Sequence, residues 1–402
     1  MNLSRSKISI QIVTWNSFKF LPDCLESISQ QTFKDFSVLV IDNASNDGTQ
    51  EYIEGLIQQS NQPSSDVHRT SADARFCSFT QSLRSLRFIQ NRRNLGFAQA
   101  HNQGIVMTDS EYVLVMNPDV ILEPDFLERI VNVAEKNKKA GSFGGKLLKA
   151  KITNIESNKE MALNPLKFGA LMHPNWCIVK TDIIDSTGLK IFKSRRVIDR
   201  GEEEKDTGQY DRQEEVFGIS GACVLYRREA LEDIKIPKCD PKTRIHSNDS
   251  NINSHGRVRS ALFAGEYFDQ DFFCYKEDID LAWRLQLRGW KAIYVPEAKA
   301  YHLRTVSIAN RFSKSVWVNF LSYRNHLWML LKNDYFRNFL LHLWHIFWYQ
   351  LAKEIYLLFT QPLVLWKGSF AFWQGFFKMY KKRWYIMKNA KIAAGEIRQW
   401  FN

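Results

Sequence analysis

Four apolar runs, each ending on a polar residue or leading into one and each separated from the next by a stretch of different character, limit how this chain can fold. They are Ile8 to Thr14, Ser37 to Asp42, Leu86 to Gln90 and Tyr112 to Met116, with helical segments over Leu21 to Gln30, Gly48 to Gln58 and about Gly96 to Thr108. That alternation predicts an α/β fold: a mainly parallel sheet covered by helices on both faces, whose first half is a Rossmann-like nucleotide half-fold. In open sheets of this kind ligands bind outside the C-terminal ends of the strands, so the residues just past each run are the first candidates for chemistry.

The fourth run leads into Asn117-Pro118-Asp119 and then the acidic turn Glu123-Pro124-Asp125. A carboxylate there is held by a buried strand yet faces a crevice, with Asn117 supplying a neutral oxygen beside it. Mg2+ or Mn2+ binds a diphosphate through only one or two protein carboxylates, so Asp119 is read as a metal-binding acid rather than a turn-forming one. Asp42 can accept from a base N–H or a ribose hydroxyl, while Asn46-Asp47-Gly48 makes a tight turn in which Asp47 or Thr49 caps the next helix. Asn94-Leu95-Gly96 offers a helix entry whose amides face a phosphate or the sugar, or else a plain strand-to-helix turn with an Asn cap. Glu277-Asp278 follow the aromatic wall Phe272-Phe273-Cys274-Tyr275, which partly desolvates a carboxylate and raises its pKa toward use as a general base. Asp278 is the expected base. Asp280 is assigned to the helix dipole and to a pair with Arg284. Gly289 ends that helix, Trp290 to Val295 returns as a strand, and His302 beyond it completes the metal site or touches the diphosphate. Arg304 and Arg324 are candidates for neutralising phosphate, solvated surface being the usual fate of such residues.

Charge divides the chain. Residues 311–402 carry +11 of the net +12 and eight of the twelve Trp. Aromatics mixed with Lys and Arg suit the interface of an anionic bilayer. Nucleic acid is the competing partner, and Phe339 to Phe377 is too apolar for its wet groove. Lys353-Glu354, Pro362 and Lys367 interrupt the apolar run before it reaches the roughly 18 residues of a spanning helix, so a monotopic or re-entrant contact is expected. The division is therefore 1–310 catalytic, with inserts near 60–81 and 239–260, and 311–402 helical and membrane-associating. Gly145 to Gly218, with its charged stretch Asp199 to Glu215, reads as short strands on the acceptor side of the crevice. The six cysteines form no CxxC pair, which argues against zinc and a disulfide framework, and Met1 to Ile12 lacks a signal-peptide core; a cytosolic setting is expected.

At these residues the chain resembles the family 2 glycosyltransferases, within them the bacterial rhamnosyltransferase-like branch. The matching segments are Ile10 to Asn16, Val40 to Thr49, Asn94 to Ala98, Met116 to Asp119, Ile219 to Cys223 and Tyr275 to Leu281, in the family's order. The resemblance implies a glycosyltransferase-A fold, a nucleotide-sugar donor, a divalent cation and inversion at the anomeric carbon. By matching position, Thr14 and Asp42 hold the nucleoside, Asn16, Asn94, Gly96, Asn117 and Gly221 contribute to substrate binding, Asp119 is the metal-binding acid, and Asp278 is the base with Glu277 beside it. Asn117 replaces the first acid of the DxD-type element. His302 matches the branch's late histidine, although the glycines that often follow it are replaced by Leu303-Arg304-Thr305. The implied reaction takes a UDP- or dTDP-sugar to a lipid-linked or polysaccharide acceptor at the inner face of the cytoplasmic membrane. Two other readings stand beside it: a non-catalytic membrane-docked scaffold or sugar-binding protein with the same fold, and a nucleotidyltransferase, which the absence of a GxGxR-type loop after the first strand disfavours.

Overall fold

The computed structural model describes residues 6–60, 86–154, 176–237, 265–304 and 316–402. Apart from Ser60, the two inserts expected near 60–81 and 239–260, with Cys77 and Cys239, lie outside the described residues. The first half folds as β1 (Ile8–Thr14), α1 (Leu21–Ser29), β2 (Phe36–Asp42), α2 (Thr49–Ser60), β3 (Leu86–Gln90), α3 (Gly96–Met107) and β4 (Tyr112–Met116). β1 lies parallel to both β2 and β4, and β2 parallel to β3. The alternation of side chains along these strands sorts them between two cores. Ile8, Ile10, Ile12, Val38, Val40, Leu114 and Met116 pack with α1, α2 and α4 (Phe126–Lys136) on one face. Val113 and Val115 pack with α3, α5 (Arg228–Ile234) and α6 (Glu277–Leu287) on the other.

The second half departs further from the sequence expectation. It contains β5 (Val120–Leu122), β6 (Ala140–Asn154), β7 (Trp176–Ser186), β8 (Leu189–Ile191), β9 (Val197–Asp199), β10 (Glu214–Val216), β11 (Cys223–Arg227) and β12 (Lys291–His302). The main sheet runs β10-β12-β6-β11-β4-β1-β2-β3, with β11 antiparallel to both β4 and β6. It is thus mixed, its parallel pairs being those of β1 to β4 together with β6 and β12. Where short strands were expected after Gly145, the long strands β6 and β7 pair antiparallel. Glycines hid β6 in the sequence: a Cβ on Gly144 would lie 2.2 Å from Ile219, and one on Gly145 2.0 Å from the Ala298 carbonyl oxygen. Those positions need glycine because other chain segments press onto the strand, not because the strand breaks there. β12 outruns its expected end at Val295. Its register against β6 shifts between Val295 and Lys299, where Pro296 cannot donate, and pairing resumes through His302.

The charged stretch after β9 is clipped to the sheet. Lys146 on β6 reaches Asp206 and Asp211, Lys149 reaches Glu203, and Lys291 on β12 reaches Glu215.

After residue 315 the chain is helical, as expected: α7 (Val316–Asn333), α8 (Phe336–Leu341), α9 (Leu343–Thr360), α10 (Pro362–Lys388) and the short α11 (Ala394–Ile397). No helix among the described residues is long and apolar enough to cross a membrane. Part of the basicity expected to face lipid is instead turned inward. Lys332 pairs with Asp269 and Asp280, and Lys382 with Glu266, Asp269 and Asp271, while Asp334 of this region is paired with Arg195 of the preceding domain. The chain's end also returns to the body, where Phe401 bridges to Ile191 and packs on Trp283.

Asp233 at the end of α5 fastens this arrangement, accepting from Arg288 Nε (3.0 Å), Trp290 Nε1 (2.9 Å) and Lys391 Nζ (3.3 Å). Burial opposes its ionisation, but these donors outweigh burial and pull the carboxyl down to about 2. A depressed folded-state pKa adds stability that is complete above the ordinary carboxyl value of about 3.9 and is lost as pH falls through the folded value. Asp233→Asn should lower Tm by about 2 °C near neutrality. Its gap from the parent should narrow as pH is taken below about 4. Melting curves showing a constant gap at every pH would remove this assignment.

Candidate active site

The end of β1 and the end of β2 meet at Asp42. Its Oδ1 accepts from Thr14 Oγ1 (2.9 Å) and Ser45 Oγ (2.5 Å), and its Oδ2 from the Ser45 amide (2.9 Å). A carboxylate has about four acceptor positions, so three donors leave one open on Oδ2. Asn16, in the left-handed region at φ 52°, closes the same turn: its Oδ1 accepts from the Asn46 amide (2.9 Å) while its own amide donates to Ser45 Oγ (2.8 Å). Thr14, Asn16 and Asp42 are therefore gathered into one rigid corner. Asp47 caps α2, its Oδ1 accepting from the Thr49 amide (3.3 Å) and from the Thr49 hydroxyl (2.6 Å), the turn role read for it.

Asn94 Oδ1 accepts from the Gly96 amide (2.8 Å), and the Ala98 amide donates to the Phe273 carbonyl (3.2 Å). The start of α3 is thus occupied by protein rather than aimed at a ligand, which favours the turn-and-cap reading of Asn94. Gly96 sits at φ +79°, and a Cβ there would lie 2.6 Å from the Phe273 ring and carbonyl oxygen. Its role is to let the loop before α6 press against α3.

Past β4, the Leu303 amide donates to the Asp119 carbonyl (2.9 Å), which brings the end of β12 beside this acid. His302 Nε2 is 3.3 Å from Asp119 Oδ1, and its Nδ1 is 2.8 Å from Asp185 Oδ2 on β7. The first distance is an electrostatic contact, and Asp119 Oδ1 is buried without a hydrogen-bond donor. Behind them Arg304 spans Asp185 Oδ1 (3.1 Å), Asp199 Oδ2 (2.9 Å) and Glu202 Oε1 (2.5 Å). Burial opposes the charged imidazole, yet Asp119 and Asp185 overcome it and raise His302 to about 10. Arg304 is committed to three acids and does not stand ready for phosphate. Among the described residues no cluster of three or more His, Cys, Asp or Glu is set to hold a metal ion. The Asp119–His302 pair fits a Mg2+ or Mn2+ site that a diphosphate completes, with a buried carboxylate oxygen and an imidazole nitrogen 3.3 Å apart and the other ring nitrogen oriented by Asp185; the charged imidazole would give up its proton as the cation enters.

The second acid pair opens α6. Asp278 Oδ2 accepts from the Gly221 amide (2.9 Å) and Oδ1 from the Ile279 amide (2.8 Å). Burial raises its pKa and those two amides oppose the rise. Glu277 is more deeply enclosed: its Oε2 has no partner, and burial followed by the neighbouring Asp278 pushes its pKa well above the carboxylate range. The two environments separate the pair, Asp278 being the one whose anion is hydrogen-bonded. Asp280 pairs with Arg284 as expected (3.0 Å) and also meets Lys332 (2.8 Å). The loop before α6 holds Phe273, Tyr275 and Lys276 at φ 65°, 69° and 70°. Asn325 on α7 secures it, its Nδ2 donating to the carbonyls of Phe272 (2.9 Å), Cys274 (3.0 Å) and Tyr275 (2.8 Å).

One short stretch of backbone, Gly221-Ala222, links the two centres. Gly221 donates to Asp278, and the carbonyl of the next residue, Ala222, accepts from the Asn117 amide (2.9 Å), two positions before Asp119. Asp199, held by the arginine behind His302, is also among the charges acting on Asp278. Sequence reasoning missed Asp185 and Asn325. One lies in a strand without a motif, and the other in an aromatic helix where nothing marks it out from its neighbours.

A mixed α/β sheet with a nucleotide-type corner after β2, an acid after β4 and a second acid opening a late helix defines a glycosyltransferase-A protein. Residues 9–235, more than half of the chain, match the model for glycosyl transferase family 2, and residues 202–381 match that for glycosyl transferase family group 2. The chain belongs to glycosyltransferase family 2 and within it is similar to a rhamnosyltransferase. It is 23% identical over 308 residues to N-acetylglucosaminyl-diphospho-decaprenol L-rhamnosyltransferase of Mycobacterium tuberculosis, covering 73% of this chain and 75% of that one. An uncharacterized glycosyltransferase of Haemophilus influenzae is 25% identical over 140 residues, 35% of this chain and 36% of its own. Among solved structures, that of GalNAc-T7 with UDP, GalNAc and Mn2+ shares the fold at a TM-score of 0.51 and 10% identity. The match covers 82% of this chain and about half, 48%, of that one.

Proposed function

We propose that this glycosyltransferase is inverting and metal-dependent, and that it moves a hexose or deoxyhexose such as rhamnose from a UDP- or dTDP-sugar to a lipid-linked or polysaccharide acceptor. The observation that carries the reading is the hydrogen-bonded bridge from Asp278 through Gly221-Ala222 to Asn117, which fixes Asp278 and Asp119 about one short stretch of backbone. In the reaction an acceptor hydroxyl oxygen forms a bond to the anomeric carbon, the bond from that carbon to the diphosphate breaks, and the departing oxygen takes the electron pair. Asp278 receives the hydroxyl proton on the face opposite the leaving group. A bound Mg2+ or Mn2+, held by Asp119 and His302, would supply positive charge to the departing diphosphate. Thr14, Asn16 and Asp42 shape the nucleoside corner, and Trp15, 57% exposed at the end of β1, offers the base a flat face. Glu277, neutral in its enclosure, supports α6 without taking the proton.

The M. tuberculosis relative is named for a polyprenol-linked acceptor, and the helical region of this chain suits such a substrate. Trp344, Phe359, Trp366, Phe377 and Trp384 are each more than 60% exposed, too much apolar surface for water alone. Lys388 lies 4.9 Å over the Trp384 ring, a pairing suited to anionic headgroups. This supports peripheral or monotopic placement on the inner face of the cytoplasmic membrane. The scaffold reading gives no reason for Asp119 and Asp278 to be tied together through the short stretch Gly221-Ala222.

Labelled sugar nucleotides incubated with the protein, Mn2+ and a membrane lipid extract should yield labelled, lipid-extractable glycan. Failure across the whole donor panel would refute transfer to a lipid acceptor. In parallel, UDP or dTDP at about 100 times its Kd should stabilise the protein by about 2.7 kcal/mol. Asp119→Ala should remove the part of that stabilisation that depends on Mn2+, from an unliganded Tm lowered by the loss of the His302 ion partner. An unchanged metal-dependent shift would take Asp119 out of the metal site.

A further inference from the structure

α7 and α9 both pack against α10, through a cluster of Tyr323, Leu357 and Val364, and between α7 and α9 lies a cavity of about 370 Å³. That volume falls within the range of small-molecule sites, roughly 300–1,000 Å³. Helical spacing assembles its walls: Asn319 and Ser322, three apart, come from α7, and Tyr349, Ala352, Lys353 and Tyr356, at three- and four-residue intervals, from α9. The Asn319 amide is oriented by Gln361 Oε1 at 2.9 Å. Lys353 is the cation of the lining, and its ammonium lies 5.3 Å from the Tyr323 ring centroid. The adjacent Glu354 is engaged by Tyr323 Oη (3.0 Å) and Gln350 Nε2 (3.0 Å).

Two features say what the cavity takes. Burial, and then the positive charge of Lys276, push the Lys353 amine down to about 7, against a weaker opposing effect of Glu354. Lys353, partly buried, thus sits where a second positive charge disfavours its protonated form, and an anion beside it would favour that form again. Second, apolar surface adjoins the lining: Phe359, one helical turn beyond Tyr356 on α9, and Leu363, at the start of α10, are both exposed. An anionic head joined to a long apolar tail matches both. The cavity also has a fixed relation to the reaction centre. Ser322 lies one helical turn from Asn325, which holds the carbonyls of the loop leading to Lys276, Glu277 and Asp278.

We propose that the cavity between α7 and α9 receives the diphosphate of a lipid-linked acceptor, with Lys353 as its cation, Asn319 and Ser322 as neutral partners, and the prenyl chain leaving over Phe359 and Leu363. The inference rests on the transferase reading and adds to it where the acceptor is held. The diphosphate is anchored on the helical region while the acceptor sugar extends past Lys276 toward Asp278.

Geranylgeranyl diphosphate in detergent micelles is a suitable probe, bound to the full chain and followed by calorimetry. Lys353→Met should weaken its binding by about tenfold or more, and Lys353→Arg, which keeps the charge, should restore affinity to within about threefold. Ser322→Trp, which fills the cavity from the opposite wall, should produce a loss like that of Lys353→Met, and geranylgeraniol should bind the parent and Lys353→Met alike. In turnover the acceptor KM should rise by about tenfold in Lys353→Met while the donor KM holds. Equal binding of the diphosphate by the parent and Lys353→Met, with both folded by their melting curves, overturns the proposal. Inorganic pyrophosphate binding as tightly as the lipid also overturns it, since the site would then take a free anion. A protein that transfers sugar to a lipid acceptor normally in Lys353→Met keeps the transferase reading and loses this one. One that transfers no sugar in any form loses the reading on which both stand.

Discussion

Asp278→Asn is expected to lower kcat by about a thousandfold, the mid-range for removal of a general base. The substitution keeps size and shape but cannot take a proton from the acceptor hydroxyl. It also turns an amide nitrogen toward one of two backbone N–H groups, because Asp278 accepts from both Gly221 and Ile279. The lost hydrogen bond costs about 1–3 kcal/mol locally. Nucleotide binding at the Thr14–Asp42 corner should persist, so the loss belongs in kcat rather than in donor KM. The pH profile separates a base from a structural acid. Burial sets the Asp278 pKa above its ordinary value, so parental activity should fall as pH drops through that raised value and the acid form accumulates. The residual activity of Asp278→Asn should lose this acidic limb. A variant that keeps both its rate and the limb would transfer the role of base to another group. Glu277 is a poor substitute, because its enclosure keeps it protonated to higher pH than Asp278.

Asn325→Leu should be the most damaging change at a residue that meets neither substrate. The side chains are of similar size, but Leu leaves the carbonyls of Phe272, Cys274 and Tyr275 without the amide they share. The Phe272 carbonyl keeps the Cys274 amide at 2.8 Å, so the loss falls on the Cys274 and Tyr275 carbonyls, at about 1–3 kcal/mol for each one left unsatisfied. Asn325 Oδ1 also accepts from Arg324 Nη2 (2.9 Å), so a further donor is released. The loop it holds contains three non-glycine residues at positive φ. Such conformations cost about 1–3 kcal/mol each and persist only when their surroundings impose them. With the clamp gone, the loop relaxes, the start of α6 shifts, and Asp278 leaves its place against Gly221. The expected result is a kcat lower by about a hundredfold, since small displacements of a catalytic group have effects of that size. Loss of α7 packing should accompany it as a lower Tm. Leu327→Ala serves as the control: it disturbs the packing of the same helix on the Tyr323, Leu357 and Val364 cluster and leaves the Asn325 amide in place, so its kcat should fall much less. Equal losses in both variants would mean that α7 stabilises the protein without positioning the acid.

The elements legible in the sequence are those made by local pattern. β1, β3 and β4 begin and end where their apolar runs do, and α1, α2 and α3 follow the helical segments to within two residues. Asp42, Asp119 and Asp278 were legible as candidates because each stands at the edge of an element, where a chain held by its own hydrogen bonds turns toward solvent. β6 was not legible, because Gly141, Gly144 and Gly145 look like breaks in a linear reading and serve as close contacts in the folded one. Nor was the use of the C-terminal charges. Fourteen Lys and Arg in that stretch read as a surface for lipid, whereas Lys332 and Lys382 are buried among Asp269, Asp280 and Glu266.

The sequence by itself determined the order of strands and helices from β1 to β4, the helical character after residue 315 and which acids stand at the edges of elements, since periodicity and turn chemistry act over a few residues and leave their mark in the chain. Only the tertiary structure decided that Asp185 orients His302, that Asn325 holds the loop before Asp278, and that Gly221-Ala222 joins the two acidic centres. Those contacts lie between residues from 50 to more than a hundred positions apart. They exist because burial leaves a polar group no alternative to whichever partner the packing brings near, and nothing in a linear spacing records which partner that will be.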